Sequence, residues 1–348
     1  MITERGCLSK YSGANNHIHA GINCLNHHFK ISLFTSFLTK RSLVGRNQIS
    51  LLFFLVYFTE LMIILPKQLI QLYLLKPTFI YERYHILNFN TLLICKCLKI
   101  PHFFEINGLW KENHRNRFLS WLEIKLLSLS NFCFCLGLRG RLISPVPHLN
   151  LENGVSQNFW KGFKNHYKKR KTNFNICFLG SLMQHHKLGI IGEAFELMPP
   201  EVLSQMQLHF IGPINQRILK IVESCPITIA LHGGHSKKNR IKLLKMMDCG
   251  FISGGSPYAS FMKLFEYGSA KCPVIAPKTS NLKHWLEDNC IFFYQPNNSQ
   301  SCAKALMEVY QSPDLSRTKA QHLYQLIGKR FLWEKTFSTI STTIANHL

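Results

Sequence analysis

From Asn173 onward, short apolar runs alternate with stretches that carry a helical stripe. Six runs predict strands: Asn175–Leu179, Leu208–Ile211, Ile227–Leu231, Gly250–Ser253, Pro273–Ala276 and Ile291–Tyr294. Between them, Gly189–Met198 sets Ile190, Ile191, Ala194, Phe195 and Met198 at helical spacing. Lys237–Met247 and Ser301–Gln311 repeat the pattern. Continuous apolar strands separated by helices predict a parallel sheet covered on both faces. Such sheets bind ligands beyond the carboxyl ends of their strands. The turns Gly180-Ser181, Gly212-Pro213, Gly233-Gly234 and Gly254-Gly255 each follow a strand, so they should share that rim.

The first half alternates less regularly. A helix is expected from Ser12-Gly13-Ala14 to about Asn26, then a strand at Lys30–Thr35. Thr78–Tyr81, Pro101–Glu105 and Phe132–Leu136 read as strands, with helices over Asn88–Leu98 and Trp121–Leu129. This is a second, smaller doubly wound domain. Its weak point is the start. Met1–Tyr11 is too polar for a strand, and a Rossmann-like half without its central first strand packs poorly. A chain that starts late, or an inactive copy, is the expectation that follows.

Ile49–Leu65 is a 17-residue apolar stretch interrupted by Glu60. A membrane span needs about 20 mostly apolar residues, and a central charge is costly there. Two readings stay open: a membrane-embedded helix, and a buried or interface-lying one.

A chain of 348 residues exceeds what one core usually supports. The expected division is 1–160, a basic linker at 161–172, a second domain at 173–328, and a helix at 329–348 that packs back on the first domain. The linker holds six positive charges from Lys161 to Lys171. Trp333 is its tail's expected packing anchor.

The net charge of +23 draws the protein to nucleic acid, anionic lipid or phosphorylated substrates. No nucleic-acid module signature accompanies it, so that reading rests on charge alone and no nucleic-acid partner is expected. Asp248, Asp288 and Asp314 are the chain's three aspartates, and none lie close enough to form an Asp-x-Asp cation site. Cys95-x-Cys97 and Cys133-x-Cys135 sit in apolar runs and read as buried, reduced thiols rather than a metal site. His185-His186, and His232 with His235, lack a third ligand at fixed spacing. No metal and no cofactor are expected. Reduced thiols and a polar, His-rich Met1–Lys30 with no signal peptide point to the cytoplasm.

The richest chemistry lies in Gly254–Tyr267, followed by Cys272–Pro277. A glycine turn, a short amphipathic helix and a buried strand are expected. Free amides at the helix start favour an anion such as a diphosphate. Lys263 can meet phosphate and Glu266 a sugar hydroxyl, a combination that suits a nucleotide-sugar. The alternative for Glu266 is a helix carboxylate paired with Lys263.

Four signatures, in order, resemble GT-B glycosyltransferases of the family 4 type. Phe178–Leu182 with Lys187 and Gly189 is similar to a Gly-Arg-Leu plus Lys-Gly phosphate motif. Leu208–Gly212 resembles the next strand and its glycine. Ile229–Gly233, a basic helix and Asp248 resemble the stretch around the nucleobase. Ser256–Glu266 and Pro273–Ala276 resemble the Glu-x7-Glu segment and its Pro-Val-Ile strand, closest to a subset with Ser-Pro-x-Lys-Leu-Phe-Glu-Tyr. In the first half, Pro77–Arg83, Pro101–Asn107 and Glu152–Val155 look like family strand ends and the pre-linker Asn-Gly-Val.

The resemblance implies an α/β fold of two facing doubly wound, Rossmann-like domains, here with no evident first strand. It implies a retaining, metal-independent hexosyltransferase that moves a sugar from a nucleotide-sugar to a hydroxyl. The acceptor side would be the first domain and the donor side the second. Lys187, Glu266 and Glu105 are the expected catalytic set. Gly13, Gly180, Ser181, Gly212, Gly233, Tyr258, Ala259, Ser260, Phe261, Met262 and Lys263 are the expected donor-binding set. Ser181 stands where the family has Arg, and Tyr258 where it has the first Glu; Phe261 replaces a Pro. The basic surface and the apolar stretch point to a lipid-linked or polysaccharide acceptor and a peripheral place on the inner membrane face. The departures leave a second reading, a non-catalytic nucleotide-sugar or partner-binding protein of the same fold.

Overall fold

The computed structural model describes residues 2–3, 13–31, 34–35, 65–85, 88–113, 116–164, 173–180, 189–234, 237–254 and 256–348. The described strands form two six-stranded sheets, and every pairing is parallel. The chain divides into two compact units, Met1–Leu151 with Phe337–Leu348, and Glu152–Thr336.

In the first unit the strands are β1 (Ile2–Thr3), β2 (Phe34–Thr35), β3 (Ile80–Arg83), β4 (His102–Ile106), β5 (Phe132–Leu136) and β6 (His148–Leu151). Their order is β2-β1-β3-β4-β5-β6. The first strand is therefore present, which corrects the expectation of a missing one. Ile2 pairs with Phe34 on one side and Glu82 on the other. Two residues carry no period-2 pattern, so the strand is invisible to alternation. The apolar stretch at 49–64 lies outside the described residues, and its two readings stand as they were. Residues 65–75 are helical, and Leu72 packs there on Ile80, Ile94 and Cys95.

Strand alternation assigns the side chains to two faces. Tyr81, Arg83 and Glu105 share one face with the Gly13–Leu25 helix. On the other, Tyr84, Phe89, Leu92, Phe104, Leu127, Cys133 and Cys135 form a core under the Asn90–Leu98 and Arg117–Leu127 helices. Burial pushes the Cys133 thiol up to about 12, so it stays neutral. Cys95 points inward while Cys97 is exposed, so that pair does not converge on one site. The closing helix, Trp333–Ala345, buries Phe337, Ile340 and Ile344.

The second unit contains β7 (Phe174–Leu179), β8 (Met206–Ile211), β9 (Thr228–Leu231), β10 (Cys249–Phe251), β11 (Val274–Pro277) and β12 (Phe292–Tyr294), in the order β12-β11-β10-β7-β8-β9. Both faces are covered, as continuous apolar strands require. Phe178, Phe195, Phe210, Phe251 and Phe292 are buried on one side. Each such ring contributes roughly 1.5–3 kcal/mol of burial. Leu179, Ile211, Leu264, Phe265 and Tyr267 are buried on the other. Phe159 and Phe163 join that second core. Phe163 lies inside the segment expected to be a solvated basic linker, so the start of that segment is a packed anchor. Its basic run, 165–172, is outside the described residues.

Candidate functional site

The strands β10, β7, β8 and β9 are parallel neighbours, so the turns that follow them lie along one edge of the sheet. Gly180, Gly233 and Gly254 take φ values of +101°, +66° and +138°, a region that side chains with a Cβ rarely enter. Gly212 meets the same rim by close approach. A Cβ there would sit 2.2 Å from the Gly180 carbonyl oxygen. The expected glycine rim is thus formed by backbone.

The Met262–Ser269 helix is fixed against this rim by Tyr267. The Leu179 N–H donates to the Tyr267 hydroxyl at 2.7 Å, and the hydroxyl donates to the Cys177 carbonyl at 3.0 Å. The Tyr267 ring lies against Gly250, where an added Cβ would come within 2.3 Å of it. Leu179 is the last residue of β7, so the helix and the Gly180 turn are held to one another.

The loop ahead of the helix is tethered just as closely. Ser260 Oγ donates to the Glu152 carboxylate and accepts from the Asn153 N–H at 3.0 Å. Asn281 Nδ2 donates to Glu152 Oε1 at 2.7 Å and to the Ala259 carbonyl at 3.0 Å. The Tyr258 N–H donates to Ser256 Oγ at 3.3 Å, and buried Phe261 leads into Met262, the first helical residue. Tyr258, Ala259, Ser260, Phe261 and Met262 therefore form one braced segment. Its anchors, Glu152 and Asn281, had no expected part in the site.

Lys263 stands on the second residue of the helix. Its stem is partly exposed, but its ammonium is buried and makes no hydrogen bond. Nζ lies 4.1 Å from the Phe178 ring centroid, beside the end of β7. Burial lowers its pKa to about 8, against the attraction of Cys177 and Glu266. A buried cation that rests on a ring face without a hydrogen-bond acceptor is a place prepared for an anion.

Glu266 is paired, but not with Lys263. Its Oε1 accepts from Arg240 Nη1 at 2.9 Å, and both side chains are mostly buried. Arg240 comes from the basic Lys237–Leu244 helix. Charge on that helix was the only sequence signal for it. On β8 and just past the end of β9, His209 Nδ1 and His232 Nε2 form a hydrogen bond at 2.9 Å, and His209 Nε2 meets Asn175 Oδ1 at 3.0 Å. Lys187 and Ser181 lie outside the described residues.

In the first unit Gly13 opens the Gly13–Leu25 helix. Glu105 stands near the end of β4, yet its carboxylate faces inward. It accepts from the Tyr81 hydroxyl and lies 2.9 Å from His17 Nε2 and 3.7 Å from Arg83 Nε. Burial alone would raise its pKa, but His17, Arg83 and Tyr81 outweigh that and hold it at about 2. Burial, then Glu105, push the Tyr81 phenol upward. The expected strand-end contact is thus a buried carboxylate that fixes a histidine and an arginine. Among the described residues no group of three His, Cys, Asp or Glu side chains is placed to hold a metal ion.

No protein-family model matches the chain, and no curated protein matches it by sequence. Solved structures do match by shape. HepE from Anabaena, in complex with UDP and glucose, is 13% identical with a TM-score of 0.71, covering 99% of this chain and 98% of its own. A glycosyltransferase from Rickettsia africae is 12% identical, with a TM-score of 0.75 and coverage of 99% and 97%. Sucrose-phosphate synthase from Thermosynechococcus elongatus is 13% identical, with the same TM-score and coverage. These neighbours are glycosyltransferases. What the chain shares with them at such low identity is architecture: two parallel-sheet α/β units in the fold of GT-B glycosyltransferases.

Proposed function

We propose that the protein is a nucleotide-sugar-dependent glycosyltransferase whose donor diphosphate sits on the Gly180–Gly212–Gly254 rim of the second unit. The observation that carries this reading is the buried Lys263 ammonium, which has no hydrogen-bond acceptor at the end of β7. Transfer of a hexose to an acceptor hydroxyl leaves growing negative charge on the departing diphosphate. Preorganised donors that meet that charge lower the barrier. Lys263 and Lys187 serve that purpose with the rim amides in place of a metal ion, and the transfer retains the configuration at the sugar carbon. Glu266, oriented by Arg240, grips a ribose hydroxyl. In the first unit Glu105 acts through His17 and Arg83, which it holds on the acceptor side. The HepE structures with UDP, or with UDP-glucose, support a uridine nucleotide as the first donor to try. The acceptor is a lipid-linked or polysaccharide hydroxyl, reached from a peripheral position on the inner face of a membrane.

One observation favours a second reading, a non-catalytic nucleotide-sugar-binding protein. Both Glu266 and Glu105 are already engaged by basic partners. The test is calorimetry with UDP and UDP-glucose together with detection of sugar transfer or UDP release. Lys263→Met should weaken UDP binding on the order of 10-fold or more. Binding without product in any donor–acceptor combination supports the second reading. Absence of nucleotide binding ends both.

A further inference from the structure

Helix 65–75, Asn90–Leu98 and Arg117–Leu127, which precede β3, β4 and β5, lie on one face of the first sheet. Right-handed crossovers between parallel strands require it, and the contacts agree. Leu72 of helix 65–75 packs on Ile80, Thr91 of Asn90–Leu98 bonds to Glu82, and Glu123 of Arg117–Leu127 accepts from Tyr84. The outer surface of this layer is unusually apolar. Leu69, Ile70, Tyr73 and Leu74 form adjacent rows on helix 65–75, with Leu74 72% exposed. Leu93 is exposed on the middle helix. Phe118, 64% exposed, and Trp121 pair on the third with ring centroids 6.0 Å apart.

The charges around these side chains have one sign. Lys67, Lys96, Lys111, Arg117 and Lys125 are exposed on the described elements. The acidic residues between 65 and 136 are Glu82, Glu105, Glu112 and Glu123, and all are turned inward. Glu82, Glu105 and Glu123 are buried, and the Glu112 side chain, 3% exposed, is held by Arg139 at 2.5 Å. An apolar face with aromatic members, ringed by cations and stripped of carboxylates, complements an anionic bilayer. Aliphatic rows such as Leu69–Leu74 have no use on a nucleic acid. Among the described residues no helix is long and apolar enough to cross a membrane.

We infer that this helical layer is a bilayer-docking face, with Leu69, Ile70, Tyr73 and Leu74 entering the headgroup region and the lysines meeting anionic lipid. The inference rests on the membrane part of the proposed function and names the surface responsible. The test is co-sedimentation of the full chain with phosphatidylcholine vesicles, with and without phosphatidylglycerol, in low and high salt. Wild type should bind the anionic vesicles at low salt. L69S/I70S/L74S and F118S/W121S should each reduce binding on the order of 10-fold. Lys67→Glu with Lys125→Glu should reduce it too, while Leu197→Ser, an exposed leucine of the second unit, should not. UDP binding by each variant reports its folding and keeps the two readings apart. Unchanged vesicle binding by the apolar variants overturns the inference. So does a wild type that binds single-stranded RNA in preference to vesicles, or one that self-associates through this face and becomes monomeric in L69S/I70S/L74S. Vesicle binding without UDP binding leaves the docking face standing and removes the transferase reading.

Discussion

Lys263 shows how a single residue can trade stability for a site. Its ammonium loses hydration on burial and recovers a ring face and the more distant attraction of Glu266, but no hydrogen bond. With a folded pKa near 8 against an ordinary 10.5, the unfolded chain holds more protons between those values. The free protein should therefore gain stability as pH rises through 8 to 10.5, and Lys263→Met should remove that gain. At neutral pH Lys263→Met should stabilise the fold by roughly 1–3 kcal/mol, read as a higher urea midpoint, while weakening UDP binding. The binding itself should run the other way with pH. An anion needs the charged form, so UDP affinity in wild type should fall above about pH 8 and the Met variant's should not. A flat wild-type profile would show that Lys263 does not face the ligand. Glu105 is the opposite case, a depressed carboxylate whose contribution is present above its ordinary pKa of 4.5 and lost as pH falls through about 2. Glu105→Gln removes the carboxylate that faces the buried Arg83 guanidinium and should cost about 3–5 kcal/mol at neutral pH. The gap between the two urea midpoints should narrow in acid. Neither environment was legible beforehand. Lys263 and Glu105 stood out by type and position, but His17 lies 88 residues from Glu105 and Arg240 lies 26 from Glu266.

At the scale of elements, the second unit was legible because its strands are continuous apolar runs, four of them closed by glycine. All six were expected within two residues of where they lie. The same signal fails in the first unit at β1, where only Ile2 and Thr3 pair, and at Phe163, which a run of lysines disguises as linker. What no periodicity conveys is the brace. Tyr267 reads as one more apolar helix residue, yet its hydroxyl connects the Met262–Ser269 helix to both Leu179 and Cys177. Tyr267→Phe should destabilise the second unit by about 1–3 kcal/mol, since the buried Leu179 N–H loses its acceptor. Gly250→Ala should cost a similar amount by pushing the same ring off β10. If the brace also positions Lys263, both variants should lose UDP affinity as well as urea resistance. Loss of stability alone would limit Tyr267 to packing.

Across the whole molecule the candidate residues are divided between two cores. Gly180, Gly212, Gly233, Lys263 and Glu266 belong to one unit, and Gly13, His17, Arg83 and Glu105 to the other. The proposed reading gives the nucleotide to the first group and leaves the second for the acceptor. Mass action makes that division measurable, because a ligand stabilises the structure it binds. At a UDP concentration of 100 times Kd the gain is about 2.7 kcal/mol. Residue-resolved hydrogen exchange with saturating UDP should then slow the amides of β7 and β8, the turns at Gly180 and Gly212, and the start of the Met262–Ser269 helix. Amides of β3, β4 and β5 should exchange at their ligand-free rates. The bilayer face predicts the complementary pattern. Anionic vesicles should slow exchange in helix 65–75 and at Phe118–Trp121, and leave the glycine rim unaffected. Protection by UDP confined to the first sheet would reverse the assignment of donor and acceptor sides.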